Sequence, residues 1–163
     1  MIRLAGAQDA ADVAVLWNPW IRNTVITFNP VEKTADDVAQ MIADRHTARH
    51  AFFVARGPGG DLLGFATYAQ FRTGAGYSTC MEHTIVLSPE GQGKGGGRAL
   101  MAAIETHALG HGAHQMIAGI TAENATAQAF HAALGYAHIA TIPQAGFKFG
   151  RFHDLVLMQK FLA

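Results

Sequence analysis

The stretch EHTIVLSPEGQGKGGGRAL, residues 82–100, decides how this chain folds. An apolar run at residues 85–87 is followed by five glycines between Gly91 and Gly97 and then by a helical pattern. This order predicts a strand, a tight loop and the N-terminus of a helix. The first amides of that helix have no intrahelical partner and lie at the positive end of the helix dipole, so the loop is suited to bind a phosphate group. Lys94 and Arg98 add full positive charge.

Two familiar kinds of phosphate loop fit this stretch poorly. A Walker A loop requires glycine where this chain has Ser88, and serine or threonine where it has Gly95. A dinucleotide-binding fingerprint matches literally at residues 91–96, but it requires an acidic residue at the end of the next strand. The next strand-like run, residues 115–120, has no acid there. A third pattern, Gln/Arg-x-x-Gly-x-Gly/Ala, is present at residues 92–97.

The composition predicts a single globular domain, residues 1–163. Half of the residues are hydrophobic and 15% are charged, which suits a core that buries roughly two-thirds of the unfolded surface. The formal net charge is zero and the pI is about 7.1, so neither a nucleic-acid nor a membrane partner is predicted. The single cysteine, Cys80, excludes an intramolecular disulfide. With no signal peptide and no apolar run of spanning length, we expect a cytoplasmic protein.

The rest of the chain alternates between strands and helices. Asp9 and Asp12 fall in the first turn of a helix, which Pro19 is expected to break near Asn18 because proline removes a backbone amide. Gly135 is placed to end the last helix. The predicted elements are, in order, a strand at residues 2–4, the broken helix, a loop at 24–30, a helix at 34–49, strands at 52–55, 62–68 and 77–87, a helix at 95–109, a parallel strand at 115–121, a helix at 124–134, and paired strands at 136–141 and 154–162.

This order of elements resembles the GNAT superfamily of N-acetyltransferases along the whole chain. The resemblance implies a mixed α/β (α+β) fold, with a central, mostly antiparallel twisted sheet that contains one parallel splayed pair and is flanked by helices. The pattern at residues 92–97 is similar to the acetyl-CoA pyrophosphate loop of that superfamily.

Further residues resemble one branch, the phosphinothricin acetyltransferases, whose members acetylate phosphinothricin, methionine sulfoximine or related small amino acids. The resemblance to this branch also implies a homodimer. Two positions depart from the branch, namely Gly74, where a second arginine is usual, and Val86, where a tyrosine is frequent. The matching residues are Asn18, Phe28, Arg72, Tyr77, Glu82, Asn124, HAALGY at 131–136, GFKFGRFHD at 146–154 and Met158-Gln159.

The resemblance implies acetyl-CoA as cosubstrate and no metal. Backbone amides of the glycine loop would bind the pyrophosphate, and the preceding strand would pair with the pantetheine amides as a neighbouring strand does. One strand amide could polarise the thioester carbonyl, which can contribute about 3 kcal/mol to the transition state. The expected cofactor-binding residues are Ile85, Val86, Leu87, Gln92, Gly93, Lys94, Gly95, Gly96, Gly97, Arg98 and, from the family, Asn124.

Acetyl transfer to an amine requires a base for the amine and a proton for the leaving thiolate. Glu82 precedes the apolar run, and partial burial would raise its pKa enough for it to act as the base. In the resembled branch this glutamate is the proposed general base; the alternative is a solvated or ion-paired glutamate. His131 stands where most of the superfamily carries a tyrosine that acts as the acid. Its imidazole is expected either to donate a proton or to position other groups, the alternative being simple packing.

The acceptor amine is expected to contact the strand around Glu82 and the loop before it. Arg72 suits a carboxylate or phosphinate through a bidentate fork, although an exposed arginine at a strand end is an equal interpretation. The expected substrate-binding residues are Phe28, Arg72, Thr73, Gly74, Glu82, His83 and Thr84.

Two other groups suggest chemistry less strongly. His107, His111 and His114 have a spacing that could gather a metal, but no acidic or cysteine partner lies nearby in the sequence, so no metal is predicted. Cys80 is interpreted as a buried strand thiol rather than an acyl nucleophile.

These observations predict direct transfer of an acetyl group from acetyl-CoA to the α-amine of a small amino acid or analogue, in a ternary complex. A protein N-terminus or another amine is the nearest alternative acceptor. Two other classes stay open at this point, a CoA-binding module without turnover and a nicotinamide-dependent enzyme. Binding of NAD rather than CoA would indicate the latter.

Overall fold

One twisted sheet of seven strands organises the molecule, and the computed structural model describes residues 1–163. The spatial order of the strands is β1-β2-β3-β4-β5-β7-β6, and only β4 and β5 run parallel. The mostly antiparallel sheet with one parallel pair confirms the predicted fold class. The strands are β1 Ile2–Leu4, β2 Phe52–Arg56, β3 Leu62–Gln70, β4 Cys80–Leu87, β5 Gln115–Thr121, β6 Ala137–Lys148 and β7 Arg151–Phe161.

Four helices cover the two faces of this sheet. They are α1 Ala10–Asn23, α2 Ala35–Thr47, α3 Gly96–Gly110 and α4 Ala125–Ala133. α1 and α2 bury their apolar stripes against one face, where Val13 and Val38 meet Phe65. α3 and α4 cover the other face, where Leu100 and Ile104 are fully buried. Residues of the helices therefore reach the sheet from either of its two faces.

The predicted break in the first helix is wrong, because α1 runs through Pro19 without interruption. Proline removes one intrahelical hydrogen bond. The apolar face that the helix buries continues across the proline, with Trp17 before it and Ile21 after it. Asn18 also ties the helix to the chain beyond, since its side chain exchanges two hydrogen bonds of 2.8 Å with the backbone of Lys33. Tertiary burial and this clamp outweigh the lost bond.

The last hairpin is longer than the sequence pattern predicted, with β6 and β7 extending to Lys148 and from Arg151. β6 is largely solvent-exposed, so it carries little of the alternation by which a strand is recognised. Pro143 and an irregular register between Ile142 and Gly146 obscure it further. β4 is shorter than the strand predicted at residues 77–87 and begins at Cys80, since a 3₁₀ turn occupies Ala75–Tyr77.

The parallel pair separates along its length, and this creates an opening in the sheet. Pairing of β4 with β5 extends only from Cys80 opposite Gln115 to Glu82 opposite Ile117. Beyond that point β4 continues to Leu87 and β5 to Thr121 without pairing to each other. The edge of β4 that faces β5 is therefore free to pair with an extended ligand.

Candidate active site

A cavity of about 450 Å³ lies where β4 and β5 separate. Both helical layers contribute to its walls. α1 and the loop after it supply aromatic side chains, and α4 with its N-cap supplies polar ones. Of the three buried side-chain polar atoms in the chain that lack a hydrogen-bond partner, two belong to residues lining this cavity, His83 Nδ1 and Thr121 Oγ1. The principal lining residues are Trp17, Trp20, Phe28, Phe71, Glu82, His83, Thr84, Ile85, Val86, Thr121, Asn124 and His131.

Glu82 lies on the α1 side of β4 at the last position paired to β5. Its side chain is accessible to water and lines one wall of the cavity, where the surrounding protein still buries it in part. This burial raises the pKa of Glu82 above its ordinary value, with no compensating positive partner. A carboxylate in this state can accept a proton from a bound cationic amine.

His131 lies on α4 and is buried against His83 of β4. Its Nδ1 is 2.7 Å from the carbonyl oxygen of Ala127, one turn earlier in the helix. Its Nε2 is 3.1 Å from Nε2 of His83. Both ring nitrogens of His131 are therefore engaged within the protein.

The glycine loop has the geometry of an anion-binding turn. Gly93 and Gly95 adopt positive φ angles of 72° and 79°, which favour glycine. A side chain at Gly91 would collide with the carbonyl oxygen of Leu63. α3 begins directly after Gly95, and the amides of its first turn have no intrahelical acceptor.

Asn124 joins the loop after β5 to α4. Its side-chain oxygen caps the helix by accepting a hydrogen bond of 3.0 Å from the Ala127 amide, which leaves its amide group available at the cavity wall. Thr121 lies just before it, and its buried hydroxyl has no partner within the chain. These polar groups are free to bind a ligand.

Lys148 holds the loop that carries Phe28, a connection that the sequence did not indicate. Its buried ammonium donates hydrogen bonds of 2.6, 2.6 and 2.8 Å to the carbonyl oxygens of Ile21, Thr24 and Thr27. The ring of Phe28 stacks on His153, with centroids 5.7 Å apart. The final hairpin thus fixes one wall of the cavity.

The structure brings some of the predicted substrate residues together and leaves others apart. Phe28, His83 and Thr84 line the cavity with Glu82. Arg72, Thr73 and Gly74 lie in the exposed loop that follows Phe71, outside the cavity wall. The Arg72 guanidinium packs over the ring of Tyr77 at 5.7 Å. Gly74 has a φ of 111°, which disfavours any side chain there.

Other candidate groups lie elsewhere. His107 and His111 stack on each other with centroids 4.0 Å apart, whereas His114 packs on Phe161. No three His, Cys, Asp or Glu side chains are arranged to hold a metal ion. A concavity of about 660 Å³ between α1 and the β2–β3 hairpin lacks the unpartnered polar atoms of the first cavity. None of the helices has the length and apolarity required to cross a membrane.

Comparison with known proteins yields one family. The model of the acetyltransferase (GNAT) family matches residues 17–136. The chain is 32% identical over 158 residues to the L-methionine sulfoximine/L-methionine sulfone acetyltransferase of Salmonella typhimurium, covering 97% of this chain and 92% of that protein.

Two solved structures share this architecture closely. A phosphinothricin acetyltransferase from Sinorhizobium meliloti, solved in complex with acetyl-CoA, aligns with a TM-score of 0.94 at 29% identity, over 100% of this chain and 88% of that chain. A ribosomal-protein-alanine N-acetyltransferase from Brucella melitensis aligns with a TM-score of 0.95 at 31% identity, over 99% of each chain.

Proposed function

We propose that this chain, which belongs to the acetyltransferase (GNAT) family, acetylates the amine of a small amino acid or analogue of the methionine sulfoximine, methionine sulfone or phosphinothricin type. The chain is an acetyl-CoA-dependent N-acetyltransferase, and the proposal concerns its acceptor and its residues. The observation that carries it is the Glu82 carboxylate, which lines a cavity of about 450 Å³ with aromatic walls, has no positive partner there and has its pKa raised by partial burial.

The residues of the chain fit acetyl-CoA as the cosubstrate. The unpaired edge of β4, including Ile85, Val86 and Leu87, would pair with the pantetheine amides. The loop from Gln92 to Gly97 and the first turn of α3 would bind the pyrophosphate through backbone amides, with Lys94 and Arg98 adding charge. Asn124 would contact the same ligand through its free amide group. When bound, acetyl-CoA supplies the activated acetyl group.

Glu82 acts as the general base in this proposal. It removes a proton from the ammonium form of the acceptor, because only a neutral amine can attack the thioester carbonyl. A free amide on the edge of β4 polarises that carbonyl. The leaving sulfur receives its proton from the opposite face of β4, where His131 and His83 form a hydrogen-bonded pair.

The walls of the cavity support a small acceptor. Trp17, Trp20 and Phe28 enclose the space beside Glu82, which suits a compact amino acid better than a folded protein surface. We assign Arg72, on the exposed loop after Phe71, to the acceptor's anionic group, because no carboxylate within the chain pairs with its guanidinium. Thr73 and Gly74 on the same loop and Thr84 on β4 complete the proposed acceptor surface, whereas His83, expected there from the sequence, faces the other side of β4, where it pairs with His131.

An N-terminal alanine of a protein is the second candidate acceptor. The similarity to the Brucella melitensis enzyme, which is named for that activity, favours it. An N-terminal peptide would have to thread into the cavity between the aromatic walls, and free amino acids would then be poor substrates.

The test is release of free thiol from acetyl-CoA with a panel of acceptors. The panel contains phosphinothricin, methionine sulfoximine, methionine sulfone, common amino acids and an alanine-initiated peptide. We expect saturable release with one of the first three, lost by about 100-fold or more in Glu82→Gln and retained in Glu90→Gln, a control outside the cavity. Release with the peptide alone would contradict the proposed acceptor.

We also propose a homodimer in the cytoplasm. Phe147, Phe149 and Phe152 expose more than half of their surface on the final hairpin, an arrangement that a second copy would cover. Sedimentation velocity should show a dimer that Phe152→Ser weakens, and a monomer at all concentrations would contradict this. The single cysteine, Cys80, is compatible with a reducing compartment, and cell fractionation tests the location.

A further inference from the structure

His83 and Glu82 are neighbours in sequence but face opposite sides of the sheet. Successive side chains of a strand alternate between its faces. Val86, on the face of Glu82, packs into the core beneath α1 and α2, whereas Met81, on the face of His83, packs into the core beneath α3. The base proposed for the acceptor and the imidazole of His83 therefore lie on the two sides of the opening between β4 and β5.

The two imidazoles meet through their nitrogen edges. The ring planes of His83 and His131 differ by 11° and their centroids are 5.0 Å apart, while the two Nε2 atoms are only 3.1 Å apart. The rings therefore do not overlap face to face. This is the arrangement of an N–H···N hydrogen bond, which requires a hydrogen on one Nε2 and a lone pair on the other.

The hydrogen bond to Ala127 decides which nitrogen carries the hydrogen. A carbonyl oxygen only accepts, so Nδ1 of His131 must be the protonated nitrogen in that bond. Neutral His131 then has a bare Nε2, which accepts from Nε2–H of His83. It follows that Nδ1 of His83 carries a lone pair, and this atom has no partner anywhere in the chain.

His83 thus presents the only free nitrogen of the pair. Its side chain is 8% exposed and lines the cavity. It is also the first residue of β4 beyond the last position paired to β5. The aromatic rings that pack against the pair are Tyr136, which contacts both imidazoles at a steep angle, and Phe130, which contacts His131. A buried acceptor atom without a donor is unfavourable, and a ligand that brings a donor satisfies it.

We propose that Nδ1 of His83 takes a proton from the acceptor nitrogen and delivers it to the sulfur leaving group. His131 is a positioning residue that sets the tautomer of His83. This rests on the proposed function in requiring an amine acceptor. The amine nitrogen forms a bond to the acetyl carbon and the carbon–sulfur bond breaks. Of the two protons that the ammonium nitrogen loses, the first leaves through Glu82. The second passes to Nδ1 and then to sulfur, so His83 ends neutral, as it began.

The environment keeps His83 in its neutral form. Burial, followed by the neighbouring His131, lowers the pKa of His83 to about 3. The resting imidazole is therefore neutral at physiological pH, so the lone pair of its Nδ1 is available to a hydrogen-bond donor. The imidazolium, once formed, returns the proton readily because the same desolvation disfavours its charge.

Matched glutamine variants separate the two histidines. Glutamine at position 83 keeps a polar group near Nε2 for His131 but has no proton carrier at Nδ1. Glutamine at position 131 keeps an acceptor for Nε2–H of His83. We expect His83→Gln to lower kcat by about 100-fold or more and His131→Gln by less than about 10-fold, with acetyl-CoA affinity unchanged in both. An equal or larger loss in His131→Gln, or wild-type turnover in His83→Gln, would overturn the proposal.

A second measurement needs no turnover and uses the wild-type chain. Long-range ¹H–¹⁵N spectra of histidine-labelled protein report which ring nitrogen carries the hydrogen. We expect the Nε2–H tautomer for His83 and the Nδ1–H tautomer for His131, and the opposite assignment overturns the proposal. CoA should shift the His83 Nδ1 signal through its thiol, whereas desulfo-CoA, which lacks the thiol, should not; equal shifts would contradict it. If the acceptor panel fails while these shifts appear, the proposed acceptor is wrong and the histidine assignment stands.

Discussion

Single residues in this site owe their properties to what surrounds them rather than to their type. Glu82 and Glu90 are both glutamates of the segment 82–100, but only Glu82 lines the cavity where β4 and β5 separate. Lys148 is a charged residue with 3% exposure, held because three carbonyl oxygens accept its three hydrogens. Environment, at this scale, distinguishes the surface carboxylate of Glu90 from the proposed base, Glu82, and makes Lys148 a structural clamp rather than a solvated ammonium.

The raised pKa of Glu82 predicts the acid limb of the activity profile. Below that pKa the protonated carboxyl cannot accept a proton, so kcat/KM for the acceptor should fall as pH falls through a value above the ordinary 4.5 of glutamate. Glu82→Gln should lack this limb along with most of the rate. Because folding disfavours the ionised form, Glu82→Gln should be at least as stable as the wild type above the raised pKa. A profile that is flat down to pH 4.5 would show that Glu82 is not the base.

Replacing Lys148 should loosen the acceptor wall. Lys148→Met leaves the carbonyl oxygens of Ile21, Thr24 and Thr27 without their donor, which should cost about 1–3 kcal/mol of unfolding free energy. Since these carbonyls fix the loop that carries Phe28, KM for the acceptor should rise while KM for acetyl-CoA stays constant. Steady-state kinetics with each substrate varied in turn measure this. Equal changes in both KM values would place the effect outside the acceptor wall.

β3, β4, α3 and α4 pack closely around the glycine loop at residues 91–97. Gly97 allows α3 to approach closely, because a Cβ there would lie 3.0 Å from Leu87 and 3.2 Å from Phe130. Gly91 lies against the backbone of β3. The loop therefore requires glycine for its packing as well as for its conformation.

Gly91→Ala tests this packing. The added methyl group would collide with the carbonyl oxygen of Leu63, a backbone atom that cannot rotate away. We expect a loss of about 1–3 kcal/mol in unfolding free energy and weaker acetyl-CoA binding, measured by denaturant titration and calorimetry. Gly76→Ala is the control, since a Cβ at Gly76 meets nothing within 4 Å. Similar losses in both variants would contradict the packing argument.

At the scale of the whole molecule, Asp9 connects β1, β2 and α1 at the β1 edge of the sheet. Its fully buried carboxylate accepts hydrogen bonds from Arg3 of β1 and Arg56 of β2, at 2.8 Å each, and from the Gly6 amide at 2.9 Å. The residue stands at the start of α1. One side chain thus links two strands to the helix that forms the acceptor wall. We propose that the chain folds as a single domain, so that unfolding should be one cooperative transition.

Asp9→Asn should destabilise this arrangement in a pH-dependent way. The Arg3 hydrogen bonds, followed by those of Gly6 and Arg56, lower the pKa of Asp9 below its ordinary value. A lowered pKa stabilises the fold above the unfolded pKa of about 3.9, and this contribution disappears as pH falls toward the folded value. We expect Asp9→Asn to lose about 3–5 kcal/mol at pH 7 and less at pH 3. Asp12→Asn, whose side chain is 54% exposed, is the control. An equal deficit at both pH values would contradict the ion-pair explanation.

The sequence by itself determined the features that depend on local chemistry. The strand, glycine loop and helix at residues 82–100 follow from spacing and from the conformational freedom of glycine. The fold class, the acetyltransferase family and acetyl-CoA as cosubstrate were predicted from the resemblance of that segment and of the order of the elements to the GNAT superfamily, and all three are confirmed. Neighbouring residues set backbone angles and periodicity, so such features can be predicted from the sequence alone.

Only the tertiary structure decided which distant groups meet. α1 continues through Pro19 because its apolar side chains pack against the sheet, and this burial outweighs the lost backbone hydrogen bond. Lys148 reaches the carbonyl of Ile21 across the molecule, and His131 meets His83 with both of its own nitrogens occupied. These contacts depend on strand register and on which face of the sheet each helix covers. Their hydrogen-bond directions follow from a packing that no local stretch of sequence specifies.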